Sequence, residues 1–407
     1  MADRQPPRAA QASLPADRQP VIIAARRTPI CRANGALKTV QAHHLLVPVL
    51  RSLLADAGAA PESVADVVIG NAVGGGGNVA RLAALEAGLP VSVPGLTVDR
   101  QCGSGLDAIV LASGLVAGGG GLYLAGGVES ISTAPLRARR TPHGDPEFFS
   151  RAQFVPERFG DPDMGVAAEN VAAQSGISRE RQDKLALRSH RRALASAAAG
   201  HFDAEIVPLS GVAGPHGLRT VVSDDGPRHG LTAAVLARFP PAFVEGGTVT
   251  AGNSCFDADG AAAVVVTSLE HARELGAVDG LLVRGTDTAG VDPGLLGLGA
   301  AAAAGRLLGR CGVPSAAVGL VEFNEAFASQ TLACLDALGI PPERANLDGG
   351  ALALGHAYGA SGAVLVTRLL AQARSTPVDG QLALAMISIA GGMGTAALLD
   401  YRRFRFT

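Results

Sequence analysis

The chain has no tryptophan, only 4% aromatic residues and 17% charged residues in 407, and its formal net charge is −2. It therefore has no basic surface for nucleic acid and no polybasic membrane signal. Lysine is almost absent: Lys38 and Lys184 stand alone among 34 basic residues. The five cysteines, Cys31, Cys102, Cys255, Cys311 and Cys334, are odd in number. They show no CxxC or Cys/His ligand spacing, so neither a disulfide framework nor a zinc site is indicated, and a reducing cytoplasm fits best. No charge falls between Asp107 and Glu129, a length that could span a bilayer, but four glycines from Gly118 to Gly121 would break such a helix. A buried helix followed by a buried strand is expected there.

What the chain does have is 48% hydrophobic residues and 53 glycines, the composition of a globular α/β protein. Residues 1–19 are rich in Ala, Arg, Gln and Pro and read as a disordered tail, a cleaved organellar presequence being the alternative. Pro20 to Ala25 and Val64 to Gly70 read as core strands. Leu37 to Ala57 has helical spacing, with Pro48 placing the start of regular helix near Leu46. A helix from Leu106 to about Ala117 precedes a strand at Gly121 to Gly127. This alternation predicts a mainly parallel sheet covered on both faces. Residues 131–246 change character, with clustered charge, proline and histidine and one well-formed helix at about Ile177 to Ala199. They read as an inserted loop or lid domain. The remainder divides into an N-terminal half, 20–130 completed by about 247–278, and a C-terminal half, 279–407. Gly359 to Gly362, an apolar helix to Ala373 and a strand within Gly380 to Gly392 repeat the outline of Gly103 to Gly127. Two facing copies of one α/β unit would bring Cys102 and His356 to a shared site.

The most informative stretch is Val98 to Ile109, VDRQCGSGLDAI. Cys102 sits just before Gly103-Ser-Gly105 and an apolar helix, where free N–H groups and the positive end of the helix dipole would stabilise a thiolate. The bland alternative is a small buried hydrophobe, which most free cysteines are.

Eight motifs in order resemble the thiolase family over nearly the whole length, from Pro20 to Leu399. They are Arg27-Thr-Pro29; the box around Cys102; Gly126-Gly-Val-Glu-Ser130; Met164-Gly165 with Ala168-Glu-Asn-Val171; Gly247 to Asn253; Asn324-Glu-Ala-Phe327; Gly349 to His356; and Gly391-Gly-Met-Gly394. The resemblance implies a thiolase fold: two similar α/β halves, each with a mostly parallel mixed sheet, in a layered α-β-α-β-α arrangement, plus the inserted loop or lid domain. It implies an acyltransferase of the acetyl-CoA C-acyltransferase type, with coenzyme A thioesters as substrates and no permanently bound cofactor. Cys102 would accept the acyl group and His356 would activate it. Asn324 would position a water in one oxyanion hole, and the backbone N–H groups of Cys102 and Ala390 would form the other. Arg228, Phe243, Ser254, Cys255, Met164 and Phe327 match positions along coenzyme A or the substrate. A homodimer or homotetramer is implied.

The departures are equally specific. Ser388 stands where thiolases usually carry a second acid/base cysteine. Where the family has Gly-His-Pro this chain reads Gly355-His356-Ala357, then Tyr358; Cys255 sits where a serine usually lies, and Phe256 adds bulk beside it. Three readings therefore stay open: Claisen condensation or thiolysis through acyl-Cys102; an atypical acyltransferase, hydrolase or decarboxylative condensing enzyme acting on acyl-CoA or an acyl-carrier thioester; and a non-catalytic acyl-CoA-binding or scaffold subunit.

Overall fold

A computed structural model describes residues 14–404 apart from 216. Residues 1–13 of the expected tail lie outside that range, whereas the end of the tail is held. The Ala16 and Gln19 carbonyls accept N–H bonds from Glu270 and Leu269, and Gln19 Nε2 donates to the Val283 carbonyl at 3.0 Å.

Nine strands carry the fold: β1 (Pro20–Arg27), β2 (Val64–Gly70), β3 (Gly95–Val98), β4 (Leu122–Glu129), β5 (Ala258–Ser268), β6 (Asp279–Gly290), β7 (Val318–Phe323), β8 (Gln381–Ile389) and β9 (Met393–Arg403). Their order is β7-β8-β9-β6-β1-β5-β4-β2-β3, and the short strand Cys31–Arg32 pairs with β5. Counting outward from the centre, β1-β5-β4-β2 on one side matches β6-β9-β8-β7 on the other. The expected internal repeat is thus visible as topology. Within the sheet the halves meet where β1 pairs antiparallel with β6, at Val21↔Leu282 and Ile22↔Leu281. Pairs β2–β3, β2–β4 and β7–β8 are parallel and the others antiparallel.

Strand alternation separates the layers. In β5, Ala261, Ala263 and Val265 face a cluster with Leu45, Leu50 and Leu53 of α1 (Ala42–Ala57) and Ala80, Ala83 and Ala84 of α2 (Val79–Ala87). Ala262, Val264 and Val266 face the opposite way, onto Leu106, Ile109 and Val116 of α3 (Ser104–Ala117). The same central cluster takes in Ile387 and Ile389 of β8 and Val366 and Leu369 of a long helix, Tyr358–Ser375. Leu384 and Met386 of β8 point outward to two helices, Gly299–Cys311 and Ala328–Leu338. The result is five layers, with α3 and helix Tyr358–Ser375 in the middle. Each large aliphatic side chain buried there contributes about 1.5–3 kcal/mol.

Close contact between those two central helices requires glycine. A Cβ on Gly105 would lie 2.5 Å from the Gly359 carbonyl oxygen, and one on Gly362 would lie 2.4 Å from the Leu106 nitrogen. The helix starts are thereby pressed together.

Two local expectations are corrected. α1 is already helical at Ala42 and carries Pro48 inside it; the bond that Pro48 cannot make would go to the carbonyl of His44, an exposed residue that water can reach. Segment 131–246 contains α4 (Met164–Ser175) as well as the expected helix, α5 (Arg179–Ala198). α4 has small residues and little amphipathic contrast, so its sequence gives a weak helical signal. Ser178 caps α5 by accepting the Arg181 N–H at 3.3 Å. Two hairpins complete the segment, Arg137–Arg140 with Pro146–Phe149 and Leu209–Gly214 with Gly217–Val221.

Buried charge ties the segment to the two halves. Arg27 of β1 donates to Glu205 at 2.7 Å and to Asp224 at 2.6 and 2.9 Å. Arg368 of helix Tyr358–Ser375 bonds Glu205 and Asp348. Both guanidinium groups stack on the Phe202 ring, at 5.2 and 4.6 Å from its centroid. Removing Arg27 would leave the buried Asp224 side chain without its arginine and Glu205 with one guanidinium in place of two; breaking a buried pair costs about 3–5 kcal/mol. Among the described residues no helix is long and apolar enough to cross a membrane. The charge-free stretch 107–129 is α3 followed by β4, as expected.

Continuing in chain order, Gly299–Cys311 is α6, Ala328–Leu338 is α7 and Tyr358–Ser375 is α8.

Candidate active site

The turn before α3 is built from its own side chains. Gln101 adopts a left-handed backbone (φ 46°), unusual for a non-glycine residue, and its N–H is held by Asp99 Oδ1 at 2.7 Å. Ser104 Oγ accepts the Arg100 N–H at 2.8 Å and donates to the Gln101 carbonyl at 2.6 Å. A Cβ on Gly103 would fall 2.3 Å from Ile389 Cδ1, so the absence of one lets the end of β8 close over the turn. Cys102 is left half-buried, and its sulfur accepts from its own N–H and that of Ala390. These are the two backbone donors named from the sequence.

Burial works against the expected stabilised thiolate in the free site. Burial pushes the Cys102 thiol up to about 11; the two N–H bonds oppose this, while Glu129 and Asp257 reinforce it. Two N–H groups around the helix start are used within the turn itself. Gly103 N–H donates to the Arg100 carbonyl and Ser104 N–H to the Gln101 carbonyl.

His356 follows the short helical turn Ala351–Leu354 and Gly355, whose φ of 101° suits glycine. Its backbone N–H donates to the Phe256 carbonyl at 2.9 Å and its carbonyl accepts from Ala258 at 3.2 Å. Nδ1 shares a 2.6 Å hydrogen bond with Ser361 Oγ. Nε2 is buried with no partner, and burial pushes the imidazole down to about 4. The ring is therefore neutral at pH 7. With Nδ1–H given to Ser361, Nε2 is a base; with the Ser361 hydroxyl given to Nδ1, Nε2–H is a donor.

Asn324 ends β7 in the same condition. Its N–H donates to the Met386 carbonyl at 3.2 Å, its side chain is buried, and Nδ2 has no partner. Its neighbour Glu325 fixes the turn by accepting from Ser189 Oγ at 2.6 Å and Asn346 Nδ2 at 2.7 Å.

Between these two turns runs segment 253–258. Ala328 N–H donates to the Asn253 carbonyl, Cys255 N–H to the Ala326 carbonyl, and His356 N–H to the Phe256 carbonyl, each at 2.9 Å. Asp257 accepts the Tyr358 hydroxyl at 2.6 Å, and the Tyr358 ring stands edge-on to His356 with centroids 5.1 Å apart. A thiolate at Cys102 would raise the proton affinity of both Cys255 and Tyr358, which puts all three within Coulombic reach.

The remaining expected residues divide. Met164 opens α4, and Phe243, 43% exposed, meets Phe327 edge-on with centroids 6.0 Å apart. Phe243 packs where a Cβ on Gly165 would otherwise be. Arg228 is exposed, with its N–H on His190 Nδ1 at 3.2 Å. Ser254 gives its hydroxyl to the Thr250 carbonyl at 2.8 Å. Ser388 points to the α6 and α7 side of β8: Oγ donates to the Gly297 carbonyl at 2.7 Å and accepts from Ala300 N–H at 3.1 Å and Gln330 Nε2 at 3.4 Å. Its proton is committed to structure.

Sequence reasoning named no role for Arg32, Glu129 or Ser361. Arg32 stacks on Phe256 at 3.9 Å, and with Arg228 it depresses the buried His190, so the two guanidinium groups share one neighbourhood. Glu129 accepts from the backbone N–H groups of Ala72, Val73 and Gly359, joining the start of α8 to the loop after β2. Its place in Gly-Gly-Val-Glu-Ser was the available signal. His43, His44 and Glu86 form a metal-capable group on α1 and α2, on the outer layer.

Residues 20–270 match the model of the thiolase N-terminal domain, and residues 281–401 match that of the thiolase C-terminal domain. The chain belongs to the thiolase family. This thiolase is 43% identical over 386 residues to a Staphylococcus aureus protein named "Putative acetyl-CoA C-acetyltransferase VraB", covering 93% of this chain and 98% of that one. The crystal structure of the Bacillus anthracis acetyl-CoA acetyltransferase superposes with a TM-score of 0.86 at 35% identity, covering 94% of this chain and 98% of the other. Human mitochondrial 3-ketoacyl-CoA thiolase gives 0.87 at 32% identity, covering 94% and 99%. The thiolase fold and an acyltransferase activity follow from these relations.

Proposed function

We propose that this thiolase transfers acyl groups between coenzyme A thioesters through an acyl-Cys102 intermediate, in thiolysis of 3-ketoacyl thioesters and the reverse Claisen condensation. The observation that carries this reading is that segment 253–258 ties the turn of Asn324 to the turn of His356, whose Nδ2 and Nε2 are both buried and unpartnered, while Asp257 of that segment lies within charge reach of Cys102. Leaving a buried donor unpaired costs about 1–3 kcal/mol, so two at one site imply an absent partner. A thioester or enolate oxygen at His356 Nε2, with a water on Asn324 Nδ2, satisfies both.

Because both Cys102 and His356 are neutral at rest, no ion pair is preformed. The proton moves from Sγ to Nε2 as the sulfur attacks the thioester carbon, and the charge developing on oxygen falls to the N–H groups of Cys102 and Ala390. Arg228 and Arg32 sit where a phosphate-bearing nucleotide end is attracted, and Phe243 and Phe327 offer flat apolar walls. The reaction needs no resident metal or cofactor on this reading. Assembly as a homodimer or homotetramer in the cytoplasm is part of the proposal. Exposed Leu82, Leu85, Val91 and Leu96 beside the edge strand β3 support such assembly.

The test is intact-protein and peptide mass spectrometry after incubation with acetyl-CoA. One acetyl group is expected on the Cys102 peptide and none in Cys102→Ala; an unmodified wild-type protein refutes the intermediate. Ser388 favours a second reading, decarboxylative condensation, in which loss of CO₂ generates the carbanion without a second base. Malonyl-CoA consumed much faster than acetoacetyl-CoA is thiolysed would select it.

A further inference from the structure

Resting on the acyl-Cys102 reading, we propose that Cys255 is the second acid/base of this site, exchanging a proton with the substrate α-carbon. Three observations lead there. The first is placement. Main-chain bonds from Cys255 to Ala326 and from His356 to Phe256 strap this residue between the turn that carries Asn324 and the turn that carries His356. The paired backbone at Ser254 and Phe327 and at Asp257 and His356 continues the strap on either side.

The second is availability. Among the described residues the Cys255 thiol has no side-chain hydrogen-bond partner, although it is within charge reach of Cys102 and Asp257. The other thiols are excluded in turn. Cys31 is buried in the outer cluster with α1; Cys334 is buried and bonded to the Gly297 carbonyl at 3.1 Å; Cys311 ends α6, on the outer layer. The third is vacancy of the usual position, since the Ser388 hydroxyl is held by Gly297, Ala300 and Gln330.

The resting protonation state fits one direction best. Burial, reinforced by Asp257 and Cys102, pushes the Cys255 thiol well above its ordinary range, so it waits as S–H. In thiolysis, Cys102 Sγ bonds the 3-keto carbon as its proton passes to His356 Nε2. The C2–C3 bond breaks, and its electron pair passes to C2 as an enolate held at His356 and Asn324. Cys255 S–H protonates C2, and the acetyl thioester leaves. The Cys255 thiolate next takes the proton of the incoming coenzyme A thiol, whose sulfur attacks the acyl-Cys102 carbon. Cys102 departs and recovers its proton from His356. Every proton is returned and no redox partner is needed. In condensation the same thiol must first lose its proton, so that direction is the slower one.

The experiment compares wild type, Cys255→Ser and Cys255→Ala as full chains in three assays: acetylation of Cys102 by acetyl-CoA, thiolysis of acetoacetyl-CoA, and deuterium uptake at C2 of acetyl-CoA in D₂O. The expected result is that both substitutions lower thiolysis about 100- to 10,000-fold and abolish deuterium uptake, while acetylation falls far less, because coenzyme A can leave as a thiolate that solvent protonates whereas C2 cannot exchange its proton unaided. Serine keeps the size and polarity of the side chain, so its failure to rescue separates acid/base work from packing. Thiolysis or exchange retained in Cys255→Ala overturns the proposal. Acetylation lost in parallel with thiolysis also overturns it, by making the position structural. A wild-type protein that is never acetylated refutes the acyl-enzyme reading itself, and a wild-type protein that is acetylated without thiolysing or exchanging refutes only the role of Cys255.

Discussion

Alkylation of Cys102 in the free protein is expected to follow pH without a plateau. The groups that could lower its proton affinity are countable. Among the described residues the N–H groups of Cys102 and Ala390 lower it, those of Gly103 and Ser104 are spent on the turn, and His356 is neutral. Burial wins, and the thiol is pushed up to about 11. At pH 7 roughly one molecule in ten thousand then carries the thiolate, a deprotonation cost of about 5 kcal/mol. The iodoacetamide rate at Cys102 should rise about tenfold per pH unit from 7 to 10, because only the thiolate reacts. His356→Gln should leave that slope unchanged while lowering acyl transfer about 100- to 10,000-fold, since the imidazole matters only when it accepts the proton during attack. Time courses quantified on the Cys102 peptide decide the matter. A rate already constant between pH 7 and 8 would establish a preformed thiolate–imidazolium pair and refute this reasoning. The burial of Cys31, Cys255 and Cys334 pushes their thiols at least as high, so Cys102 should be labelled before them.

Two further outcomes follow from packing and charge. Gly105→Ala places a methyl group 2.5 Å from the Gly359 carbonyl oxygen and should destabilise the protein by about 1–3 kcal/mol, read as a lower midpoint in chemical denaturation; an unchanged midpoint would mean that α3 and α8 do not cross as closely as described. Arg228→Ala should raise KM for coenzyme A thioesters while leaving short pantetheine thioesters nearly unaffected, and an equal rise for both would place Arg228 away from the nucleotide end.

What could be read from the sequence was what repeats or alternates. Val64 to Gly70 is a strand with those same bounds, and the start of α8 faces the start of α3 as the weak internal symmetry implied. Long-range compensation was invisible. Pro48 looked like a helix boundary because a local rule has no knowledge of an exposed carbonyl at position 44. α4 was missed because Gly165, Ala167, Ala168 and Ala172 give it no apolar stripe; its burial comes from partners distant in sequence. What opposes a thiolate at Cys102 is of the same kind. A helix start was visible in the sequence, but the Arg100 and Gln101 carbonyls that consume its donors are a property of the folded turn. Arg27 stood inside a recognised motif, yet its partners Glu205 and Asp224 lie nearly two hundred residues away.

The site owes its rigidity to main chain more than to catalytic side chains, and this explains how its chemistry could change without the fold changing. Cys255 to Ala326, Ala328 to Asn253, His356 to Phe256 and Asn324 to Met386 are all backbone bonds, and they join three turns to one another and to β8. Such a frame does not depend on which side chain each turn presents. It can hold His356 Nε2 and Asn324 Nδ2 unpaired at a cost of about 1–3 kcal/mol each, because the buried network through Arg27, Glu205, Arg368 and Asp348 and the glycine-tight crossing of α3 with α8 stabilise the same region from behind. Ser388, Cys255 and Tyr358 sit on that frame as single side chains. The proposed acid/base role of Cys255, with a hydrogen-bonded serine at 388, therefore needs only a change of side chain at single positions of an unchanged main-chain frame.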